Sequence, residues 1–112
     1  FTLIELVMII VIVAILAAVA IPRYVDMSQD AEEATAASFT GSLRAASAIT
    51  YAQFIVEGSD TSTIDADTVY GNLQETGGIT TSGTNGFTAV INGTNYAWTF
   101  TAPTTVSDAS SY

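Results

Sequence analysis

The first 22 residues of the chain read FTLIELVMIIVIVAILAAVAIP, from Phe1 to Pro22, and this stretch decides the architecture. Sixteen uncharged apolar residues run without interruption from Leu6 to Ile21, and the carboxylate of Glu5 precedes them. A helix of about twenty residues spans a bilayer core of roughly 30 Å. The stretch is therefore long enough to cross a membrane. Because an ionised side chain is costly in such a segment, Glu5 marks a functional site that needs a partner.

The composition of the chain argues against several classes of function. The 112 residues include no Cys and no His, and the net charge is −9, from eleven acids against Arg23 and Arg44. The commonest general base, the commonest metal ligands and disulfides are therefore missing. An acidic surface does not suit a nucleic-acid groove, which needs a basic patch. We therefore predict neither an enzyme nor a nucleic-acid-binding protein, and we expect no cofactor.

Helix signals continue well beyond the apolar run. Pro22 removes a backbone donor, which predicts a kink or local unwinding there. Helical character then resumes, with Ser28 or Asp30 as a cap, and Gly58 is a typical C-terminal stop. We assign three segments: residues 1–27 as a transmembrane or filament-core helix, residues 28–57 as an amphipathic helix, and residues 58–112 as a loop and small β-region that forms one globular head with 28–57.

Two apolar rows on the second helical segment predict a wide face that packs on a sheet. The first row is Ala45, Ile49, Ala52 and Val56, and the second is Phe39, Leu43 and Ala46.

The last part of the chain contains a clear β-hairpin, FTAVI-NG-TNYAWTF, over residues 87–100. Asn92-Gly93 is the preferred residue pair for a type I′ turn between two strands. We expect a third strand over residues 79–81, a short helix over residues 66–73, and an aromatic hairpin face packed on the helix. The predicted fold is α+β: a long N-terminal α-helix, kinked or melted near Pro22, whose C-terminal half packs on a small antiparallel sheet.

The segment FTLIEL, followed by the apolar run and Pro22, resembles the N-terminus of bacterial type IV pilins and of their relatives, the pseudopilins of type II secretion. Phe at the first position, Glu at the fifth and Pro at the twenty-second, spaced by aliphatic residues, carry the resemblance. It implies that a prepilin peptidase removes a short basic leader and methylates the amine of Phe1. It also implies that Glu5 pairs with the amine of Phe1, on a neighbouring subunit or on its own. The chain begins without Met or a basic flank, as we expect after such a cut.

The resemblance implies a structural subunit of a type IV pilus, a class associated with adhesion and motility. Such a subunit lies in the inner membrane before assembly and in an extracellular filament afterwards. Its partners are further copies in a helical homo-oligomer, the prepilin peptidase and the pilus assembly machinery. The alternative is a major pseudopilin of a type II secretion system. Related filaments often melt the helix before Pro22, but Ala14 stands where many relatives carry a helix-weakening Gly.

Three acidic residues, Asp60, Asp65 and Asp67, follow one another in the predicted loop and supply the hard oxygen ligands that calcium prefers. Their spacing does not match an EF-hand, so we expect a solvated acidic loop and no metal site. Asn92-Gly93-Thr94 matches an N-glycosylation acceptor, but the hairpin turn explains the same residues. The Ser- and Thr-rich tail does not identify a glycosylation site.

Overall fold

A computed structural model describes all residues from 1 to 112. The elements, in chain order, are helix α1 (Leu3–Glu57), a 3₁₀ helix (Thr61–Thr63), helix α2 (Ala66–Gly71), and strands β1 (Thr80–Thr81), β2 (Gly86–Ile91), β3 (Thr94–Thr101), β4 (Thr105–Val106) and β5 (Ser110–Ser111). They form two compact units, Phe1–Glu32 and Glu33–Tyr112. The predicted α+β fold, with a long N-terminal helix packed on a small antiparallel sheet, is confirmed.

Helix α1 is assigned without a break from Leu3 to Glu57, although Pro22 lies inside it. No second helix begins at Ser28 or Asp30, so the prediction of a cap at those residues is wrong. Proline removes a single backbone donor, and the helical residues on both sides keep their own hydrogen bonds. The helix is therefore not unwound at Pro22 in this structure, and a kink there, or melting in the filament, stays a prediction.

Helix α1 ends in a Schellman motif, which confirms Gly58 as the stop. Gly58 has a φ of +70°, a left-handed conformation that glycine adopts without steric cost. The backbone N–H of Ser59 donates to the carbonyl oxygen of Phe54 at 2.9 Å, and the N–H of Gly58 donates to that of Ile55 at 3.2 Å. These two bonds satisfy carbonyl groups that the last turn leaves without helical partners.

The sheet has the strand order β1-β2-β3-β4, all antiparallel, and β5 also pairs with β3. Asn92 and Gly93 have φ values of 49° and 82°, as a type I′ turn requires, so the predicted hairpin is confirmed. In its register Phe87 lies opposite Trp98, and Ala89 lies opposite Tyr96. The short helix and the third strand are also present, as α2 and β1.

The core of the second unit forms where the inner face of the hairpin packs on α1. The side chains of Phe87, Trp98 and Phe100 are at most 2% exposed. The rings of Phe87 and Phe100 meet edge to face with centroids 6.5 Å apart, and the rings of Phe39 and Trp98 lie 6.2 Å apart. Aromatic pairs in such arrangements stabilise a core beyond their buried area.

The helix face that covers this sheet differs from the predicted one. The row of Phe39, Leu43 and Ala46 packs into the core, as expected, but the other row stays exposed, with Ile49 47% and Val56 87% accessible. The buried positions of α1 are Ala36, Thr40, Leu43, Ala46, Ser47 and Thr50. Mostly small side chains let the large aromatic rings approach the helix closely. The prediction that Ile49 and Val56 pack on the sheet is therefore wrong.

Arg44 holds the end of the chain against α1. Its Nε and Nη2 atoms donate to the carbonyl oxygen of Val106 at 3.3 and 3.2 Å, and Nη2 forms an ion pair with Asp108 Oδ1 at 2.9 Å. The ion pair is exposed and contributes little by charge alone. The three contacts nevertheless link α1 to a segment more than sixty positions away in the sequence.

Candidate assembly site

The first unit, Phe1–Glu32, leaves its apolar side chains uncovered. The accessible fraction of the large apolar residues between Phe1 and Ile21 ranges from 44% for Val7 to 105% for Phe1. Helix α1 is the one helix long and apolar enough to cross a membrane. An apolar surface of this extent marks a site of contact with lipid or with protein.

The N-terminus of α1 forms a capping box, which the sequence analysis missed. The backbone N–H of Thr2 donates to Glu5 Oε2 at 2.7 Å, and the N–H of Glu5 approaches Thr2 Oγ1 at 3.3 Å. The two bonds satisfy donors that the first helical turn leaves unpaired. The signal is present in the sequence as Thr2-x-x-Glu5. Glu5 therefore has a local structural role in addition to any role in assembly.

The amine of Phe1 forms no ion pair with Glu5 inside one chain. The ion pair of the structure is Arg44–Asp108, and Phe1 is fully exposed. The carboxylate of Glu5 accepts a hydrogen bond from the backbone N–H of Thr2 and keeps further acceptor capacity, because a carboxylate has about four lone-pair sites. It is therefore able to cap its own helix and to accept from a second donor. The predicted pairing with a Phe1 amine stays a prediction.

Ala14 and Pro22, the residues predicted to govern helix weakening, both lie on exposed helix surface in this unit. Their role in weakening the helix stays a prediction.

The acidic residues of the loop act as helix caps. Asp60 Oδ1 accepts from Ser62 Oγ at 2.7 Å and from the Ser62 N–H at 2.9 Å, at the start of the 3₁₀ helix. Asp65 Oδ1 accepts from Thr68 Oγ1 at 2.6 Å and from the Thr68 N–H at 2.8 Å, at the start of α2. In each case both hydrogen bonds lower the pKa of the carboxyl group, and the bond from the hydroxyl has the larger effect.

The structure groups no three acidic side chains closely enough to hold a metal ion. Asp60 and Asp65 have structural partners, and Asp67 stands in the first turn of α2, where a negative charge is favourable. Asn92 is explained by its positive φ in the hairpin turn.

Comparisons with known proteins agree with this architecture. The chain is 45% identical over 53 residues to the type IV narrow pilus major component PilA5 of Thermus thermophilus. The matched residues make up 47% of this chain and 46% of that protein. The match thus spans about half the length of the curated relative. No family model matches the chain, and no solved structure matches it. The long N-terminal helix, the antiparallel sheet and this similarity together confirm that the chain resembles the type IV pilins.

Proposed function

We propose that the chain is a structural subunit of a type IV pilus filament. It polymerises through its N-terminal helix, with Glu5 of one subunit paired to the amine of Phe1 on a neighbour. It lies in the inner membrane before assembly and in an extracellular filament afterwards. The prepilin peptidase, which would methylate Phe1, and the pilus assembly machinery are its further partners. The similarity to a pilus major component favours this role over that of a pseudopilin in secretion.

The observation that carries the proposal is the exposed apolar surface of residues 1–21 with a single carboxylate at its end. Moving this surface from lipid into a filament core gains little from the hydrophobic effect, because lipid tails are equally apolar. The gain must come from side-chain packing and from polar pairing. Small residues such as Ala17 and Ala18 let helices approach closely, and a buried carboxylate requires a counterion.

Replacing Glu5 by Gln separates its two roles. Gln at this position still caps the helix, because the capping box accepts Glu or Gln, but it carries no charge for an amine. In the cells that make the protein, we expect Glu5→Gln to lower the yield of sheared filaments at least about tenfold, as breaking a buried ion pair would. The amount of subunit in the membrane fraction should not change.

Thr2→Ala is the matched control, because it removes the hydroxyl that faces the Glu5 N–H and keeps the charge of Glu5. This variant should assemble close to the wild-type level. Normal assembly of Glu5→Gln would refute the pairing with Phe1, since Glu5 then acts only as a cap. A wild-type chain that forms no filaments would refute the filament role itself. Mass spectrometry of the wild-type subunit checks Phe1, where a mass higher by one methyl group is expected.

A further inference from the structure

Arg23 is a cation without an ion partner in its own chain. The chain has two side-chain cations, and the other, Arg44, pairs with Asp108. Arg23 lies on exposed helix surface directly after the apolar segment. In a chain of net charge −9, Arg23 is therefore the one side-chain cation available to a second copy.

Arg23 shares a helix face with Glu5. The two residues are 18 positions apart, and 18 residues make five full turns at 3.6 residues per turn. Helix α1 is continuous over this span. Asp26 and Asp30 follow Arg23 by three and seven positions, and both spacings return to nearly the same face. One face of the first unit thus carries Glu5, Arg23 and two acids, whereas the intervening residues 6–22 are uncharged.

The proposed Glu5 contact fixes how two parallel copies are offset. When Glu5 of one subunit lies level with Phe1 of its neighbour, the offset is four residues, or about 6 Å at 1.5 Å per residue. The same offset brings Arg23 of that neighbour level with Met27 of the first subunit, between Asp26 and Asp30. Packed helices lie about 8–10 Å apart, a separation that a long Arg side chain helps to bridge.

We propose that Arg23 of one subunit forms an ion pair with Asp26 and Asp30 of the neighbouring subunit. This inference rests on the proposed filament and on its Glu5 register. Contact between two strongly acidic copies is opposed by like-charge repulsion, and an opposite charge at the right level both relieves the repulsion and selects the register. Glu5 then sets the offset at one end of the apolar segment, and Arg23 sets it at the other.

A charge exchange tests the pairing. Arg23→Asp alone should lower the yield of sheared filaments at least about tenfold, because like charges then face each other across the contact. Adding Asp30→Arg should restore most of the yield. Asp30 is chosen because it lies seven positions from residue 23, beyond the spacing of three or four at which helical side chains pair within one chain. Rescue therefore has to come from the neighbouring subunit.

The matched control combines Arg23→Asp with Asp67→Arg. Asp67 is exposed in the second unit, and both double variants return the net charge to −9. The control should not restore assembly. All variants are compared for the amount of subunit in the membrane fraction, so that lost insertion is distinguished from lost assembly.

Three outcomes overturn the pairing: normal assembly of Arg23→Asp, equal rescue by both double variants, or no rescue by Asp30→Arg. Equal rescue would mean that only net charge matters. In each of these cases the wild-type chain still forms filaments, so the proposed function stands. If the wild-type chain forms no filaments, the proposed function fails and the pairing fails with it.

Discussion

Three hydroxyl groups are buried on the inner face of α1, those of Thr40, Ser47 and Thr50, and they differ in their partners. Only the hydroxyl of Thr40 accepts a hydrogen bond from a fully buried donor, the indole of Trp98. Thr40 Oγ1 accepts a hydrogen bond from Trp98 Nε1 at 2.8 Å and donates to the carbonyl oxygen of Ala36 at 2.9 Å. The Thr40 and Trp98 side chains are only 6% and 2% exposed. The indole N–H therefore has no access to water, and its satisfaction depends on Thr40.

Thr40→Val keeps the shape of the side chain and removes the acceptor. The Ala36 carbonyl still has its helical hydrogen bond, so the main loss is the unpaired indole N–H. An unsatisfied buried donor costs about 1–3 kcal/mol. For a unit the size of Glu33–Tyr112, each kcal/mol lowers the melting temperature by about 4–8 °C. For Thr40→Val we therefore expect the free energy of unfolding to fall by about 1–3 kcal/mol, with an unchanged denaturant m-value.

The assay is urea unfolding of the full chain in non-ionic detergent micelles, followed by the fluorescence of Trp98, the only tryptophan. Thr50→Val is the matched control. Thr50 is fully buried and accepts from Asn72 Nδ2 at 2.9 Å, but Asn72 is partly exposed and also donates to Gln53 Oε1. Thr50→Val should therefore lower the free energy of unfolding by less than about 1 kcal/mol. Equal effects of the two variants, or no effect of Thr40→Val, would refute the reasoning.

Two further predictions follow from particular polar groups. Ser47 Oγ is fully buried and has no hydrogen-bond partner. Ser47→Ala should therefore leave the free energy of unfolding unchanged or raise it by up to about 1 kcal/mol. A clear loss of stability in the same urea assay would contradict this. The hydrogen bonds from the Thr68 hydroxyl and N–H lower the pKa of Asp65 in the folded chain. This carboxylate therefore stabilises the fold at a pH above its ordinary pKa of about 3.9. The stabilisation is lost as the pH falls through the lowered pKa of the folded state. In thermal melts taken from about pH 5 to about pH 2.5, Asp65→Asn should therefore show a smaller fall in melting temperature than the wild type, and parallel curves would exclude the linkage.

Local patterns in the sequence predicted most of the elements. The apolar run, the left-handed stop at Gly58 and the Asn92-Gly93 turn each depend on neighbouring residues only, and all three were assigned correctly. The capping box at Thr2 and Glu5 also depends on neighbouring residues only, so its signal lies in the sequence. Of the assembly site, the sequence identified the apolar surface and its carboxylate. The pairing of Glu5 depends on a second subunit, so one chain by itself does not test it.

By itself, the sequence determined that a long apolar helix precedes a small head with an aromatic hairpin, because helical and strand periodicities and turn residues act over a few positions. Only the tertiary structure decided which side of α1 meets that hairpin. The more apolar row, with Ile49 and Val56, faces outward, and the buried side carries Thr40, which bonds the indole of Trp98. The choice of face depends on the fit of large rings against small side chains from distant parts of the chain, and helical periodicity carries no information about that fit.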